Sequence, residues 1–263
     1  MLNSAGLSGK NVIVTGSSSG IGLETVKLLL AEGCEVIAAV RPGDTMPITH
    51  DRLFLQTCDV SRQDDLDALF DRTLTQLGSI DIFYANAGYA YCEQFRESDW
   101  QHISRIFETN SYQVFYSAQK LKQINGDRPF QFIATASAMA ILPMPGYALY
   151  SGTKAAVRAF AHAYRMEVDV DQHFQVVYPI STRTAFFKEA GNSPVPWPSQ
   201  SAEAVARAVV KGIKRKKRSV YPSHVFTAIM VLDRYVPFIF KIYSAIENKK
   251  FQSWLKQKER LSK

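Results

Sequence analysis

Val12-Ile13-Val14-Thr15 is an unbroken apolar and β-branched run that leads straight into a turn carrying Gly16, Gly20 and Gly22. A run this short and continuous predicts a strand buried on both faces. From Ile21 the spacing changes, and Val26, Leu29 and Leu30 recur at helical intervals until Gly33 stops the helix. Residues 34–40 are apolar again but for Glu35, so the chain opens as strand, glycine-rich turn, helix and strand, a βαβ unit. The alternation then repeats. Residues 53–57 read as a strand and 64–77 as an amphipathic helix with Leu66, Leu69, Phe70, Leu74 and Leu77 on one face, closed by Gly78. Strand 80–85 precedes a long helix over 98–124, with Ser98 as its cap ahead of Asp99 and its end near Gly126. Strand 130–135, helix 147–170 and strand 174–178 complete the series. Such alternation predicts an α/β fold, a doubly wound parallel sheet of Rossmann type with helices on both faces.

Residues 190–200 (AGNSPVPWPSQ) break the rhythm with three prolines around Trp197, which is loop chemistry and the length of a lid. Residues 201–213 return to helix, and 220–222 read as a last edge strand. No repeat or low-complexity linker cuts the chain, so 1–222 read as one Rossmann domain and 223–263 as a helical extension of it. That extension is apolar and basic together. Asp233, Arg234, Pro237 and Lys241 interrupt the apolar stretch 225–243, so no run approaches the ~20 residues of a membrane span. With Lys-Arg-Lys-Lys-Arg at 214–218 before it and Lys249 and Lys250 after it, the segment suits a helix lying among lipid headgroups. A helix that closes the sheet, or one that makes a subunit contact, has the same composition. Nucleic acid is set aside, because the basic run has no aromatic residues interleaved for stacking.

Charge sharpens this division. The net charge is +7, and residues 211–263 hold fourteen Lys and Arg against three Asp and Glu, or +11, leaving −4 on the first 210. Cys34, Cys58 and Cys92 are odd in number and lack metal-ligand spacing, which excludes a disulfide framework and a zinc site and points to a reducing, cytoplasmic setting. Residues 1–11 carry no signal-sequence pattern.

Glycines directly after a strand let the backbone approach a pyrophosphate, and the following helix offers free N–H groups with a partial positive charge. Gly16, Gly20 and Gly22 fit that use, a plain glycine turn being the bland alternative. The end of the second strand discriminates between dinucleotides: an acidic residue takes the ribose 2′-hydroxyl, a basic one the 2′-phosphate. Arg41 stands there and predicts NADP(H), unless it is simply a solvated loop arginine. Further along, Tyr150 and Lys154 lie four residues apart, on one face of helix 147–170, with Ser137 at the end of the preceding strand. A cation beside a phenol draws its pKa from ~10 toward working pH, as a general acid requires. Tyr-x-x-x-Lys alone arises by chance on many helices, so its weight comes from the rest of the chain.

Together these stretches resemble the short-chain dehydrogenase/reductase family, over about residues 10–185. Thr15-Gly16-Ser17-Ser18-Ser19-Gly20-Ile21-Gly22 matches the family's Thr-Gly-x-x-x-Gly-x-Gly, Asp59-Val60 its adenine-contacting pair, and Asn86-Ala87-Gly88 its Asn-Ala-Gly stretch. Asn110, Ser137, Tyr150 and Lys154 match its active-site set. The resemblance implies that Tyr150 protonates a carbonyl oxygen held by Ser137 while NADPH delivers hydride. It also implies that Lys154 binds the nicotinamide ribose, that Asn110 anchors a water leading to solvent, and that Ser18, Ser19, Ile21, Pro179, Thr182 and Thr184 contact the cofactor. Two departures stand out: Ile180 replaces the glycine usual after Pro179, and Ala85 a common second Asn.

Met139, Tyr147, Phe186 and Phe187 flank this set with apolar surface, which predicts a ketone, aldehyde or alcohol on a hydrocarbon body. No metal is called for. By the resemblance, a homodimer forms through helices 98–124 and 147–170. From a different class, a protein that binds NADP(H) as a sensor or scaffold without turnover has the same cofactor motifs, but no physical need for all four active-site residues.

Overall fold

A computed structural model describes residues 6–261 apart from Glu97 and Pro237. Residues 1–5, part of the stretch read for a signal sequence, and Pro237, read as an interruption of the tail, lie outside the described residues. The strands β1 (Asn11–Thr15), β2 (Glu35–Val40), β3 (Leu53–Thr57), β4 (Ile82–Ala85), β5 (Phe130–Thr135) and β6 (Gln172–Val177) are buried on both faces except at β3. β7 (Ser181–Arg183) and β8 (Ser199–Ser201) pair with each other, and β9 (Ser219–Val220) joins the main sheet. The sheet runs β3-β2-β1-β4-β5-β6-β9, every pairing parallel. Strand order reverses between β1 and β4, and a doubly wound sheet opens its ligand crevice there, at the carboxyl ends.

Helices cover both faces. On one, α2 (Gln63–Leu77), α4 (Gln113–Asn125) and α5 (Ala148–Tyr164) enclose a core in which the rings of Phe70, Phe83 and Phe132 stack at 5.2 and 5.3 Å, while Ile106 of α3 (Trp100–Phe107) joins the cluster at the carboxyl end. On the other, Val26 and Leu29 of α1 (Gly20–Ala31) meet Val209 and Ile213 of α7 (Ala202–Lys214) against the sheet. Each of these side chains contributes roughly 1.5–3 kcal/mol by burial. A third cluster caps the carboxyl end, where α6 (Phe186–Glu189) and Phe251 of the tail meet Tyr147 and Tyr150.

Several boundaries differ from the expectations. Asp99, not Ser98, caps α3, its carboxylate accepting from His102 N–H at 3.0 Å. A carboxylate there also meets the positive end of the helix dipole. The long helix runs from Trp100 to Asn125 as expected, but it widens into a π-turn at Glu108–Tyr112, between α3 and α4. α5 ends at Tyr164 rather than 170, because Met166 N–H and Glu167 N–H tighten onto Ala163 and Tyr164 carbonyls and turn the chain toward β6. The proline loop ends in a strand, β8, which the short edge β7 supplies with a partner. The stretch 225–243 is two helices, α8 (His224–Asp233) and α9 (Ile239–Leu261). None of the described helices is long and apolar enough to cross a membrane.

The basic run and the tail also part company. Lys214 closes α7 at the foot of the sheet, paired at 2.6 Å with Glu32 after the end of α1. α8 and α9 follow β9 and lie at the carboxyl end.

Candidate active site

The crevice is a cleft of about 460 Å³ lined from Gly16 at one end to Phe187 at the other. Its first wall is the β1–α1 turn. α1 begins with no side-chain cap from Ser19, and Ser18, Ser19, Gly20 and Ile21 face the cleft, so the N–H groups of the first helical turn open onto it. Gly22 is turned away from the cleft: a Cβ there would lie 2.1 Å from the Gly16 carbonyl oxygen, so only glycine lets helix and turn close up. Thr15 Oγ1 accepts from Asn86 N–H and Ala87 N–H at 3.0 and 3.1 Å, and Asn86 Nδ2 donates to the Thr15 and Gly16 carbonyls. Asn86 thus splices β4 to β1 while it, Ala87 and Gly88 line the cleft. Asp59 accepts from both N–H and Oγ of Ser61, which fixes the turn that presents Val60. These residues fit a dinucleotide: bare helix N–H groups for phosphate and a shallow wall for a base.

Arg41 lines the cleft mouth with its side chain 70% exposed. It is not alone there. Its guanidinium donates to Asp44 at 3.3 Å, and Asp44 also accepts from Ser18 Oγ at 2.9 Å. The sequence reading omitted Asp44, although an acid three residues beyond an arginine in a Pro-Gly turn is a legible pairing.

On the floor, Tyr150 and Lys154 share one face of α5, 7% and 3% exposed. Lys154 Nζ donates to the Thr135 carbonyl at 2.9 Å and lies 5.7 Å from the Tyr150 ring centroid. The Tyr150 phenol faces Ser137, whose Oγ accepts from Met139 N–H at 3.1 Å. Burial pushes the phenol up to about 12, with the nearby Ser137 hydroxyl pulling the other way, and burial brings the Lys154 ammonium down to about 8. The expectation that the lysine draws the phenol toward neutrality therefore fails for the protein alone. The ammonium sits over the ring rather than against its oxygen, and dehydration disfavours phenolate and ammonium alike. A phenol in this state holds its proton, as a donor must.

Asn110 sits on the π-turn, fully buried and just behind the cleft. Its Oδ1 accepts from Tyr89 N–H at 3.0 Å, and its Nδ2 donates to the Tyr89 carbonyl at 2.8 Å and to Thr153 Oγ1 at 3.2 Å. The widened turn seats this side chain against the loop after β4, and such turns recur at functional sites. Pro179, Thr182 and Thr184 line the cleft; Thr182 Oγ1 donates to the Ile180 carbonyl and Thr184 Oγ1 accepts from Phe186 N–H. Ile180 leaves Pro179 in place, its carbonyl accepting from Ala138 N–H at 2.8 Å.

Met139, Phe186 and Phe187 form the apolar end, with Phe186 edge-on to Tyr150 at 5.4 Å. Tyr147 does not line the cleft. Its hydroxyl donates to Ser193 at 2.8 Å, behind Tyr150. Phe251 of α9 was not foreseen: its ring fills the space at Gly146, where a Cβ would come within 2.6 Å of it. Nothing in the linear sequence places position 251 beside 146. Among the described residues, no group of His, Cys, Asp and Glu could hold a metal ion.

Residues 10–194 match the family model described as short chain dehydrogenase. The chain is 29% identical over 245 residues to 11-beta-hydroxysteroid dehydrogenase 1A of Arabidopsis thaliana, covering 82% of this chain and 69% of that one. A short chain dehydrogenase/reductase from Burkholderia phymatum in complex with NAD superposes with a TM-score of 0.77 at 19% identity, covering 89% of this chain and 96% of that one. A short-chain dehydrogenase from Sphingobium yanoikuyae in complex with NADPH gives 0.73 at 23%, covering 88% and 95%. The two structures establish the likeness of fold. With the family match spanning most of the chain, and the glycine turn, the π-turn asparagine and the buried tyrosine–lysine pair within it, this protein belongs to the short chain dehydrogenase family.

Proposed function

We propose that the protein is an NADP(H)-dependent oxidoreductase that reduces the carbonyl of a ketone or aldehyde on a lipophilic body, and oxidises the alcohol in reverse. The observation that carries the reading is the convergence of Ser137, Tyr150 and Lys154 on the floor of a cleft whose far wall is an uncapped helix N-terminus. A bound nicotinamide supplies the hydride. The chain does the rest. Ser137 and the Tyr150 phenol hold the substrate oxygen between two hydroxyls, and Tyr150 gives up its proton as the oxygen becomes an alkoxide. Lys154, anchored on the Thr135 carbonyl, presents its ammonium below the phenol and toward a cofactor ribose. Asn110 positions the loop at Gly88 and Tyr89 and a water leading from Lys154 to solvent. Gly16, Ser18, Ser19, Gly20 and Ile21 take the pyrophosphate, Asp59 and Val60 the adenine, and Arg41 a 2′-phosphate.

The lipophilic body is supported by the apolar end at Met139, Phe186 and Phe187, and by relatives named for hydroxysteroids. A homodimer through α3–α4 and α5 belongs to the same reading. Tyr150→Phe tests the chemistry on ketones of rising chain length. Reduction should fall by roughly 10²–10⁴-fold, as removal of a general acid does, while NADPH fluorescence still reports binding, and wild-type activity should rise with chain length. Turnover that survives the substitution would sink the mechanism. Intact NADPH binding with no turnover of any carbonyl by the wild type would favour a sensor.

A further inference from the structure

The α8–α9 hairpin has two faces. Tyr243, Glu247, Phe251 and Trp254 recur on one side of α9 and pack inward: the Tyr243 hydroxyl donates to the Trp197 carbonyl at 2.8 Å and Trp254 Nε1 to the Asn192 carbonyl at 3.2 Å. Opposite, Phe238, Ile242 and Ile246 follow each other at one-turn intervals and are 58%, 59% and 49% exposed. On a helix, Lys249 and Lys256 continue that outward face, and both are exposed. α8 and the corner after it add Val231, Leu232 and Tyr235, at 57%, 52% and 77%. Trp197, 71% exposed, belongs to the loop that Tyr243 ties to α9. Among the described residues, about half of the exposed large hydrophobic side chains fall on this hairpin, far more than its share of the chain. Such a concentration marks an interaction site.

We propose that this face docks on the surface of an anionic phospholipid bilayer. Charge complementarity selects the occupant. The apolar stripe of α9 runs into Lys249 and Lys256 along one face, with Arg234 and Lys241 beside it, while Asp233 and Glu247 are engaged elsewhere. Asp233 accepts from Phe240 N–H, and Glu247 is buried against Lys250 at 2.6 Å. A basic and apolar face of this kind sits at the headgroup boundary, where each lysine near an anionic surface adds attraction. A second copy of the chain would set these lysines against their own kind. Continuity with the site points the same way: the inner side of the same helix carries Phe251 over the apolar end of the cleft, so docking sets that end at the bilayer. The docking itself does not depend on the proposed reaction.

Flotation of the full chain with vesicles tests it, comparing phosphatidylcholine alone with phosphatidylcholine containing phosphatidylglycerol. The wild type should bind the anionic vesicles preferentially and lose binding as salt is raised. I242S/I246S should weaken that binding about tenfold or more, and K249Q/K256Q about fivefold per lysine, with both variants keeping the wild-type thermal midpoint. Binding indifferent to phosphatidylglycerol, or unaltered in both variants, overturns the proposal. So does a wild-type dimer that I242S/I246S converts to monomer, which would assign the face to a second copy.

Discussion

At the scale of single residues, the site is governed by where charge can be tolerated. Asp44 holds the Arg41 guanidinium that the proposed reading gives to a 2′-phosphate, and it shares the cleft mouth with Ser18. Arg41→Asp should weaken NADPH roughly tenfold or more relative to NADH, the loss of one charge-assisted contact, and Asp44→Asn should move the ratio the other way. Titrating both cofactors against each variant checks this; a ratio unmoved by either change would remove Arg41 from cofactor recognition. Lys154 permits a test through pH. Burial lowers its pKa from 10.5 to about 8, so the folded protein disfavours the ammonium that the unfolded chain carries freely. The cost is fully present below pH 8 and disappears as pH rises through 8 to 10.5, because there the unfolded state binds the extra proton. Across that window wild type should therefore gain about 3 kcal/mol relative to Lys154→Met. Urea unfolding at several pH values measures the difference, and a flat one would mean that the ammonium is not penalised.

At the scale of elements, the helix that matters most is the one whose packing the sequence left open. α9 seats Phe251 against Gly146 and within the cluster around Tyr150, so the tail packs behind the apolar end of the cleft and is not an appendage. Phe251→Ala should cost about 3–5 kcal/mol if the cavity stays open, and should loosen selection between long and short ketones while leaving NADPH affinity unaltered. Thermal unfolding and a KM series report the two effects separately. Unchanged stability would show that α9 does not pack as described. The π-turn at Glu108–Tyr112 makes a similar point, since it sets the depth at which Asn110 reaches the loop after β4.

At the scale of the whole molecule, one parallel sheet organises everything, with the cleft where strand order reverses and the tail folded over its apolar end. A chain ending at Ser223 should consequently lose more than a docking surface. With the third apolar cluster uncovered, it should unfold at a lower temperature and show a wider, less selective site. An unaltered midpoint would establish 224–263 as an independent appendage. This is why point substitutions on the outward face test membrane docking more cleanly than truncation.

Much of this was legible in the chain. Apolar runs close to glycines revealed β1 and β2 because a parallel strand covered on both faces has few polar positions to disguise it. The Gly16–Gly22 turn and the Tyr150–Lys154 spacing were readable because local backbone geometry alone sets them one helical turn apart. What tertiary structure decided depends on groups distant in sequence. Asp44 meets Ser18 from the far side of β2, Asn110 on the π-turn meets Tyr89 in the loop after β4, and Phe251 meets Gly146 across more than a hundred residues. Burial belongs to the same class: it holds the Tyr150 phenol protonated and lightens the charge on Lys154, because dehydration is a property of the assembled fold and of no segment within it.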